Sequence, residues 1–158
     1  MTKPNKKVLF ICLGNICRSP AAHGILEHIA GSELEVESAG TSAYHVGEKA
    51  DARMRKAASE RGINLNSISR GFKIKDFEYY DLIITMDDSN YFNITNLDYQ
   101  NEFKSKIFKM TSFLSEKYSD VKEIPDPYYG GSQGFEFVLD LLEDACKNLL
   151  DKIKKGEL

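Results

Sequence analysis

The chain has 158 residues, of which 42% are hydrophobic and 28% charged, which is enough apolar material for one domain with a packed core. Its net charge of −3 gives no support for a nucleic-acid-binding protein, which needs a basic face. The three cysteines do not form the framework of a disulfide-rich secreted domain, and the apolar run after the basic N-terminal residues is too short for a signal sequence or a membrane span. We therefore expect a cytoplasmic protein that binds neither membranes nor nucleic acid and that is a monomer or a weak dimer.

The first predicted strand covers residues 7–11, where consecutive apolar positions are typical of a strand buried on both faces of a parallel sheet. It ends at Cys12, and five residues, 13–17, separate this cysteine from Arg18. A loop of this length can curl so that its amide N–H groups converge, and the helix that follows directs the positive end of its dipole into the same space. The stretch is therefore predicted to bind a dianion such as phosphate.

Cys12 is the candidate nucleophile of this loop. Converging N–H donors and a neighbouring guanidinium favour the thiolate, which is the reactive form of cysteine. The planar Arg18 side chain can hold two phosphoryl oxygens at once and so orient the phosphorus for in-line attack. These residue types at this spacing predict covalent chemistry on a phosphate ester.

The first predicted helix opens with Ser19 near its cap and Pro20 in its first turn, and it ends at Gly31. Its apolar stripe is assigned to Ile25, Leu26 and Ile29. Further strands are predicted at 34–38, 81–87 and 106–110. Further helices are predicted at 50–61 and 134–154, and residues 88–90 are predicted to cap another helix that follows the strand at 81–87.

This alternation of strands and helices predicts an α/β fold. We expect one domain over residues 1–158, a three-layer sandwich with a central, mainly four-stranded parallel sheet and helices on both faces. Ligands of such sheets bind beyond the carboxyl ends of the strands, which is where the Cys12 loop falls.

Asp126 is the candidate proton donor. It lies between Pro125 and Pro127 in a turn-rich stretch, 123–131, whose backbone the two prolines stiffen. Cleavage of a phosphate ester needs a proton for the leaving oxygen, and a carboxyl held at a set distance can supply it.

Two segments resemble the active-site loop and the general-acid loop of the low-molecular-weight protein tyrosine phosphatases: Cys-Leu-Gly-Asn-Ile-Cys-Arg-Ser at 12–19 and Asp-Pro-Tyr-Tyr-Gly at 126–130. Other landmarks of that family follow in the expected order, at 38–41, 44–47, Asp51, Arg53, 69–70, 76–77 and 86–90. The resemblance implies hydrolysis of phosphotyrosine and of small aryl phosphates, including acid phosphatase activity, through a phosphocysteine intermediate on Cys12. It also implies that Arg18 binds the phosphoryl group and that Asp126 acts as general acid and then as general base.

The resemblance assigns supporting and rim residues as well. The phosphate-binding loop comprises Leu13, Gly14, Asn15, Ile16, Cys17 and Ser19. Asn15 and the hydroxyls of Ser19 and Ser38 are implied to shape this loop and support the thiolate. The rim of the cleft is implied to consist of Tyr44, His45, Tyr128 and Tyr129.

Aromatic walls suit an aryl phosphate, because their depth lets a phosphotyrosine ring reach the thiolate while phosphoserine falls short. Phosphotyrosine-containing proteins are therefore the expected partners, and phosphate or other oxyanions are the expected ligands of the loop. Neither a cofactor nor a metal is implied, since Arg18 and the loop amides supply the positive charge.

Two positions depart from the family pattern. His23 stands where members commonly have Glu, and Ser67 stands where many have His. Our hypothesis is that these two supporting residues contact each other beneath the loop. Cys17 also matches a family cysteine that forms a reversible disulfide with the nucleophile under peroxide, so it is the implied redox partner of Cys12.

Two alternative functions fit the same loop. A thioredoxin-coupled arsenate reductase shares loop and fold, but it needs two further cysteines after the third strand, and residues 87–112 contain none. A non-catalytic phosphopeptide-binding module needs neither Cys12 nor Asp126. The sequence therefore favours hydrolysis, while the physiological substrate and the preferred flanking residues stay open.

Overall fold

The computed structural model describes residues 5–128 and 131–158, and in this part of the chain four parallel strands form a sheet in the order β2-β1-β3-β4. The strands are β1 (Lys6–Cys12), β2 (Leu34–Gly40), β3 (Leu82–Thr85) and β4 (Ile107–Lys109). The α-helices are α1 (Arg18–Ala30), α2 (Ala52–Ser59), α3 (Asp76–Tyr79), α4 (Asp88–Leu97) and α5 (Ser132–Lys154). Short 3₁₀ helices lie at Gly31–Glu33, Lys104–Lys106, Met110–Phe113 and Glu116–Tyr118.

Strand β1 is buried on both faces, as its apolar run predicts. Val8 and Phe10 face a cluster formed with α1 and α5, whereas Leu9 and Ile11 face a second cluster formed with α3 and α4. Alternate side chains of one strand therefore belong to different cores. This confirms the α/β three-layer sandwich with a four-stranded parallel sheet.

Helix α1 is buried without interruption from Arg18 to Leu26. Ile25 and Leu26 lie in the core as predicted, but Ile29 is 41% exposed, so its assignment to the apolar stripe is wrong. The residue that continues the buried face from Leu26 is Ala30, one turn later, and Ile29 therefore lies on another side of the helix.

Several element ends differ from the prediction for local reasons. Strand β2 runs on to Gly40, two residues beyond its predicted end, because Gly40 still pairs with Cys12 of β1. Helix α2 begins only after Asp51, whose side chain caps it. Helix α4 is capped by Asp87, which forms a capping box with Asn90. The single turn of α3 was not predicted.

The Cys12 loop lies at the point where the strand order reverses. The chain goes from β1 to β2 on one side of β1, and it later places β3 on the other side, so that Cys12 pairs with Gly40 and Ile11 with Thr85. Crevices at this kind of position bind the ligands of open α/β sheets. Within 5–128 and 131–158, no helix has the length and apolar character needed to cross a membrane.

Candidate active site

Residues 13–17 link the end of β1 to α1, and the carbonyl groups of Cys12, Leu13, Gly14 and Ile16 accept hydrogen bonds from other parts of the chain. Thr41 N–H donates to the Cys12 carbonyl at 3.0 Å and Ser42 N–H to the Leu13 carbonyl at 2.9 Å. The remaining two donors are the Ser69 hydroxyl, 2.9 Å from the Gly14 carbonyl, and Asp51 N–H, 2.7 Å from the Ile16 carbonyl. The loop is therefore held by three segments that are distant from it in sequence.

The N–H groups of the loop have no acceptor in the part of the chain that the structure describes. No hydrogen bond from the backbone N–H of residues 14–17 is present within the described residues. Helix α1 begins directly after them without a capping side chain and without an acidic residue in its first turn. Free amides and an uncompensated helix dipole are the features that suit an anion, and binding of phosphate by this stretch stays a prediction.

Cys12 is 2% exposed, and its sulfur lies 2.9 Å from the Ser19 hydroxyl oxygen. Asn15 Nδ2 donates to that same oxygen at 2.8 Å, while Asn15 Oδ1 accepts from Arg70 N–H at 3.0 Å. Because the Ser19 oxygen already accepts from Asn15, its own proton is free to point at Cys12. Asn15 and Ser19 thus form a chain of hydrogen bonds that ends at the Cys12 sulfur.

Arg18 is 2% exposed and is aimed by two protein acceptors. Its Nη1 donates to Asp87 Oδ2 at 2.6 Å and to the Ile124 carbonyl at 3.1 Å, and its Nη2 lies 3.6 Å from Asp126 Oδ2. Burial alone would lower the pKa of Arg18, but the neighbouring Cys12, Asp87 and Asp126 outweigh it and raise that pKa. The guanidinium therefore keeps its charge next to the sulfur.

Asp126 lines the same cleft as Cys12 and is part of a stretch anchored at both ends. Ile124 N–H donates to the Met86 carbonyl at 2.9 Å, just beyond β3, and Tyr128 N–H donates to Asp126 Oδ1 at 3.0 Å. Arg53 of α2 donates to the Tyr128 carbonyl at 2.9 Å and stacks its guanidinium over the Tyr128 ring. The carboxyl is thus held at the site by β3 and α2 together.

A cleft of about 510 Å³ opens above the loop. Cys12, Arg18 and Asp126 line it together with Leu13, Gly14, Ile16, Cys17, Ser42, Tyr44, His45 and Tyr128. The His45 ring lies between those of Tyr44 and Tyr128, with centroids 6.5 and 6.1 Å away. Three of the four predicted rim residues therefore lie together, and Tyr129 falls outside the described residues.

The predicted contact between His23 and Ser67 is wrong. His23 Nδ1 lies 3.2 Å from the Ser38 hydroxyl and Nε2 lies 3.2 Å from Glu27, while the Ser67 hydroxyl is buried without a partner among the described residues. Ser38 pairs in the sheet with Phe10, which faces α1, so its side chain points at His23. The predicted supporting residue Ser38 therefore contacts His23 rather than the loop.

Four residues that hold the site were not assigned this role from the sequence: Asp51, Ser69, Arg70 and Asp87. Asp87 had the clearest available signal, since it follows β3, and carboxyl ends of neighbouring parallel strands share one edge of the sheet. Ser69 and Arg70 follow no regular element, so nothing in their local sequence places them beside the loop.

Fold and site together define a class of protein: an α/β domain in which a cysteine-bearing loop at the carboxyl ends of the strands lines an aromatic cleft together with an arginine and a carboxylate. Comparison with known proteins gives the family. The family model for low molecular weight phosphotyrosine protein phosphatases matches residues 7–157. The chain belongs to this family, and with it to the phosphoric monoester hydrolases of the protein-tyrosine-phosphatase type.

Individual relatives agree with this assignment. A low molecular weight phosphotyrosine protein phosphatase of Schizosaccharomyces pombe is 38% identical over 97% of this chain and 99% of its own. The crystal structure of a protein tyrosine phosphatase from Entamoeba histolytica, with Hepes in its active site, superposes with a TM-score of 0.92 at 44% identity, over 98% of this chain and 100% of that one. A Drosophila arginine phosphatase shares the fold at a TM-score of 0.85 and 30% identity, over 94% of this chain and 98% of that one.

Proposed function

We propose that the chain hydrolyses phosphotyrosine in proteins, and small aryl phosphates as an acid phosphatase does, through a phosphocysteine intermediate on Cys12. The observation that carries this proposal is the convergence of a thiol, a buried guanidinium and a carboxyl on one cleft with aromatic walls. Each group supplies one requirement of phosphoryl transfer: a nucleophile, positive charge on the phosphoryl oxygens and a proton for the leaving group.

In the first step the Cys12 thiolate attacks the phosphorus, and the bond from phosphorus to the phenolic oxygen breaks. The loop amides and Arg18 bind the non-bridging oxygens and place the phosphorus in line with the sulfur. Asp126, protonated at this stage, donates its proton to the leaving phenolate. The products of this step are a phenol and phosphocysteine.

In the second step water breaks the sulfur–phosphorus bond. Asp126, now ionised, takes a proton from the attacking water, so that phosphate leaves and the Cys12 thiolate is restored. The Ser19 hydroxyl stabilises the sulfur as a leaving group through the same hydrogen bond that supports it as a nucleophile. One carboxyl therefore serves as acid and then as base.

The shape of the cleft supports an aryl ester as substrate. Tyr44, His45 and Tyr128 form its side walls, and the apolar Leu13 and Ile16 belong to its floor and rim. Flat aromatic surfaces of this kind favour stacking with a phosphotyrosine ring. Phosphoarginine is the competing substrate to test, since one structural relative is an arginine phosphatase.

The two alternatives identified from the sequence have less support. Of the three cysteines, Cys12 and Cys17 lie in the loop, while Cys146 is fully buried in α5 with its sulfur 3.7 Å from the Ala22 carbonyl, so it offers no surface relay to an arsenate reductase. A binding module has no use for a carboxyl held at Asp126. All three cysteines are unpaired, which supports a cytoplasmic location.

Hydrolysis of p-nitrophenyl phosphate and of matched phosphotyrosyl, phosphoseryl and phosphoarginyl peptides tests the proposal. We expect turnover with the aryl phosphates only, and none with Cys12→Ser. Asp126→Ala should lower kcat by roughly 10²–10⁴-fold. The loss should be greater for phenyl phosphate than for p-nitrophenyl phosphate, because phenolate is the more basic leaving group and depends more on the proton. Rapid quenching of Asp126→Ala should trap phosphate on Cys12.

Three results would overturn it. They are turnover by Cys12→Ser, preference for phosphoarginine, and arsenate-dependent oxidation of thioredoxin without phosphate release. Phosphate binding by the parent enzyme with no turnover of any ester would instead identify a binding module.

We also propose that Cys17 protects Cys12 from irreversible oxidation. Peroxide converts the Cys12 thiolate to a sulfenic acid, and the Cys17 thiol then displaces water to form a disulfide that a thiol reductant reopens. Burial, helped by the Asp51 carboxylate, raises the pKa of Cys17 above its usual range, so Cys17 is the protonated partner in this reaction.

Reactivation after peroxide tests this redox role. The parent enzyme and Cys146→Ala should regain most of their activity with dithiothreitol, whereas Cys17→Ser should not, because its Cys12 proceeds to the sulfinic acid. Equal reactivation of Cys17→Ser and the parent would contradict the proposal.

A further inference from the structure

We propose that Ser69 is a positioning residue that fixes the direction of one amide, that of Asn15, in the phosphate-binding loop. This inference rests on the proposed function of the loop, but it concerns a residue outside it. Ser69 belongs to the connection between α2 and α3, and it touches neither Cys12 nor Arg18 in the described hydrogen-bond network.

The argument begins with the planarity of the peptide group. In a trans peptide the C=O of one residue and the N–H of the next point in opposite directions. The outward carbonyls of Cys12, Leu13, Gly14 and Ile16 therefore turn the N–H groups of Leu13, Gly14, Asn15 and Cys17 towards the cup. Each bond from outside the loop selects the direction of one amide inside it.

Ser69 differs in kind from the other three outside donors. Thr41, Ser42 and Asp51 donate through backbone N–H groups, which any residue except proline retains. Among the loop carbonyls that accept from described residues outside the loop, only that of Gly14 is held by a side chain, the Ser69 hydroxyl. The direction of the Asn15 N–H is therefore the one feature of the ring of donors that depends on a particular side chain.

The peptide between Gly14 and Asn15 is also the one with most reason to turn over. Asn15 has a φ of 56°, in the left-handed region that is unfavourable for a residue with a side chain. Rotation of this peptide would return Asn15 to negative φ, and Gly14 would accept the matching change in ψ without steric cost. The rotated peptide would point a carbonyl oxygen at a bound oxyanion, where it repels the charge.

Ser69 is itself held rigidly enough to oppose this rotation. It is 3% exposed, its N–H donates to the Glu48 carbonyl at 2.8 Å, and its carbonyl accepts from Gly47 N–H at 2.9 Å. The next residue, Arg70, holds the Asn15 side chain through its own N–H. Two consecutive residues thus fix both the peptide and the side chain of the strained residue.

Binding of inorganic phosphate and hydrolysis of p-nitrophenyl phosphate by Ser69→Ala, Ser69→Thr and Ser67→Ala test the proposal. Phosphate dissociation constants are measured by calorimetry, and kcat and KM by steady-state kinetics. We expect Ser69→Ala to weaken phosphate binding about tenfold, the equivalent of one lost hydrogen bond. Ser69→Thr retains the hydroxyl and should restore binding to within about threefold of the parent.

Ser67→Ala is the matched control. It removes the same atom from the same connection, but the Ser67 hydroxyl has no partner among the described residues, so we expect phosphate affinity within about twofold of the parent. Melting temperatures separate positioning from folding. Ser69→Ala should bind phosphate more weakly than the parent at temperatures where the circular dichroism of the two proteins is the same. If Ser69→Thr or Ser67→Ala loses as much phosphate affinity as Ser69→Ala, the loss reflects a general destabilisation of this connection, and the proposal is overturned.

The outcomes also separate this inference from the proposed function. Parent-like phosphate affinity in Ser69→Ala, in an enzyme that hydrolyses aryl phosphates, overturns the inference alone. Ser69-dependent phosphate binding in a protein that hydrolyses no ester overturns the proposed function alone. Absence of phosphate binding by the parent overturns both.

Discussion

At the scale of single residues, Arg18 shows how a buried charge is aimed. Asp87 and the Ile124 carbonyl both engage Nη1, which leaves the Nη2 side of the fork directed at the cleft. A guanidinium without such partners would be free to rotate about its long side chain, and its bidentate fit to a phosphoryl group would be lost. In the proposed mechanism Asp87 therefore acts through Arg18, although it does not line the cleft.

Replacement of Asp87 by asparagine tests this role. Asn preserves a side chain that caps α4, but it removes the negative charge beside Arg18. We expect kcat for p-nitrophenyl phosphate to fall about ten- to a hundredfold, because the phosphoryl group is misplaced. We also expect lower stability, because a buried guanidinium loses its counter-charge.

Glu123→Gln is the control for this experiment. Glu123 accepts from the Asp88 N–H at the same helix start, but it is exposed and has no contact with Arg18 in the described network. Its kcat should equal that of the parent. An Asp87→Asn enzyme with parental kcat would show that Arg18 is aimed by other groups.

At the scale of elements, the start of α2 joins the helix to the loop. Asp51 donates its N–H to the Ile16 carbonyl, and its carboxylate accepts from the N–H groups of Arg53 and Met54. The Arg53 side chain then continues to the Tyr128 carbonyl. The beginning of one short helix therefore connects the phosphate-binding loop with the stretch that carries Asp126.

The stability supplied by this cap should depend on pH. Burial would raise the pKa of Asp51, but hydrogen bonds and charge from Arg53, together with the Met54 N–H, lower it in the folded protein. A lowered folded-state pKa means that the carboxylate stabilises the fold above the unfolded-state pKa of about 4 and stops doing so as the pH falls through the folded-state value.

Asp51→Ala should accordingly cost about 1 kcal/mol at pH 7, and this difference should shrink below about pH 4. Urea unfolding of the parent and Asp51→Ala at pH 7 and at a pH below about 4 measures this difference in stability. Asp51→Asn keeps a neutral cap, so its difference from Asp51→Ala should be the same at both pH values. A cost of Asp51→Ala that does not change with pH would contradict the assignment.

At the scale of the whole molecule, α5 covers one face of the sheet. Its buried side includes Phe135, Val138, Leu139, Leu142, Ala145 and Leu149, all within the large cluster formed with α1. The helical spacing of apolar residues over 134–154 predicts this buried face. Helix α5 is stabilised by the packing of that face along its length against the large cluster. Shortening a side chain on this face should lower the stability of the whole fold rather than change the active site alone.

Leu139→Ala should lower the free energy of unfolding by about 3 kcal/mol. The corresponding fall in melting temperature is roughly 6–12 °C for a domain of this size. Phe137→Ala, on the exposed side of the same helix, should change stability by about 0.5 kcal/mol or less. Thermal denaturation followed by circular dichroism compares the two, and similar losses in both would contradict this account of the core.

The features of the fold and site that could be predicted from the sequence are those formed by residues close together in the chain. The buried strand β1, the anion loop and the helix after it form one continuous stretch, 6–30, so their chemistry and order are visible together. Asp126 is also marked locally, by its two prolines. The part of the site that is visible in the sequence is therefore the part that touches the substrate in the proposed mechanism.

The remaining interactions depend on register between distant segments. Asp87 reaches Arg18 only because β3 lies next to β1, and Ser69 reaches Gly14 only because a connection without regular structure crosses the loop. For His23 the predicted partner is wrong, since the pairing of Ser38 with Phe10 decides which hydroxyl it meets. Such contacts are set by tertiary structure.

The outside donors to the loop have a consequence for folding itself. They come from residues 41–42, 51 and 69, so the cup exists only after β2, α2 and the following connection have docked against β1. An oxyanion that binds the cup therefore binds only the native state and draws the folding equilibrium towards it. Phosphate at a hundred times its dissociation constant should add about 2.7 kcal/mol to the stability of the chain. Occupancy of the site and integrity of the fold are, in this protein, thermodynamically linked.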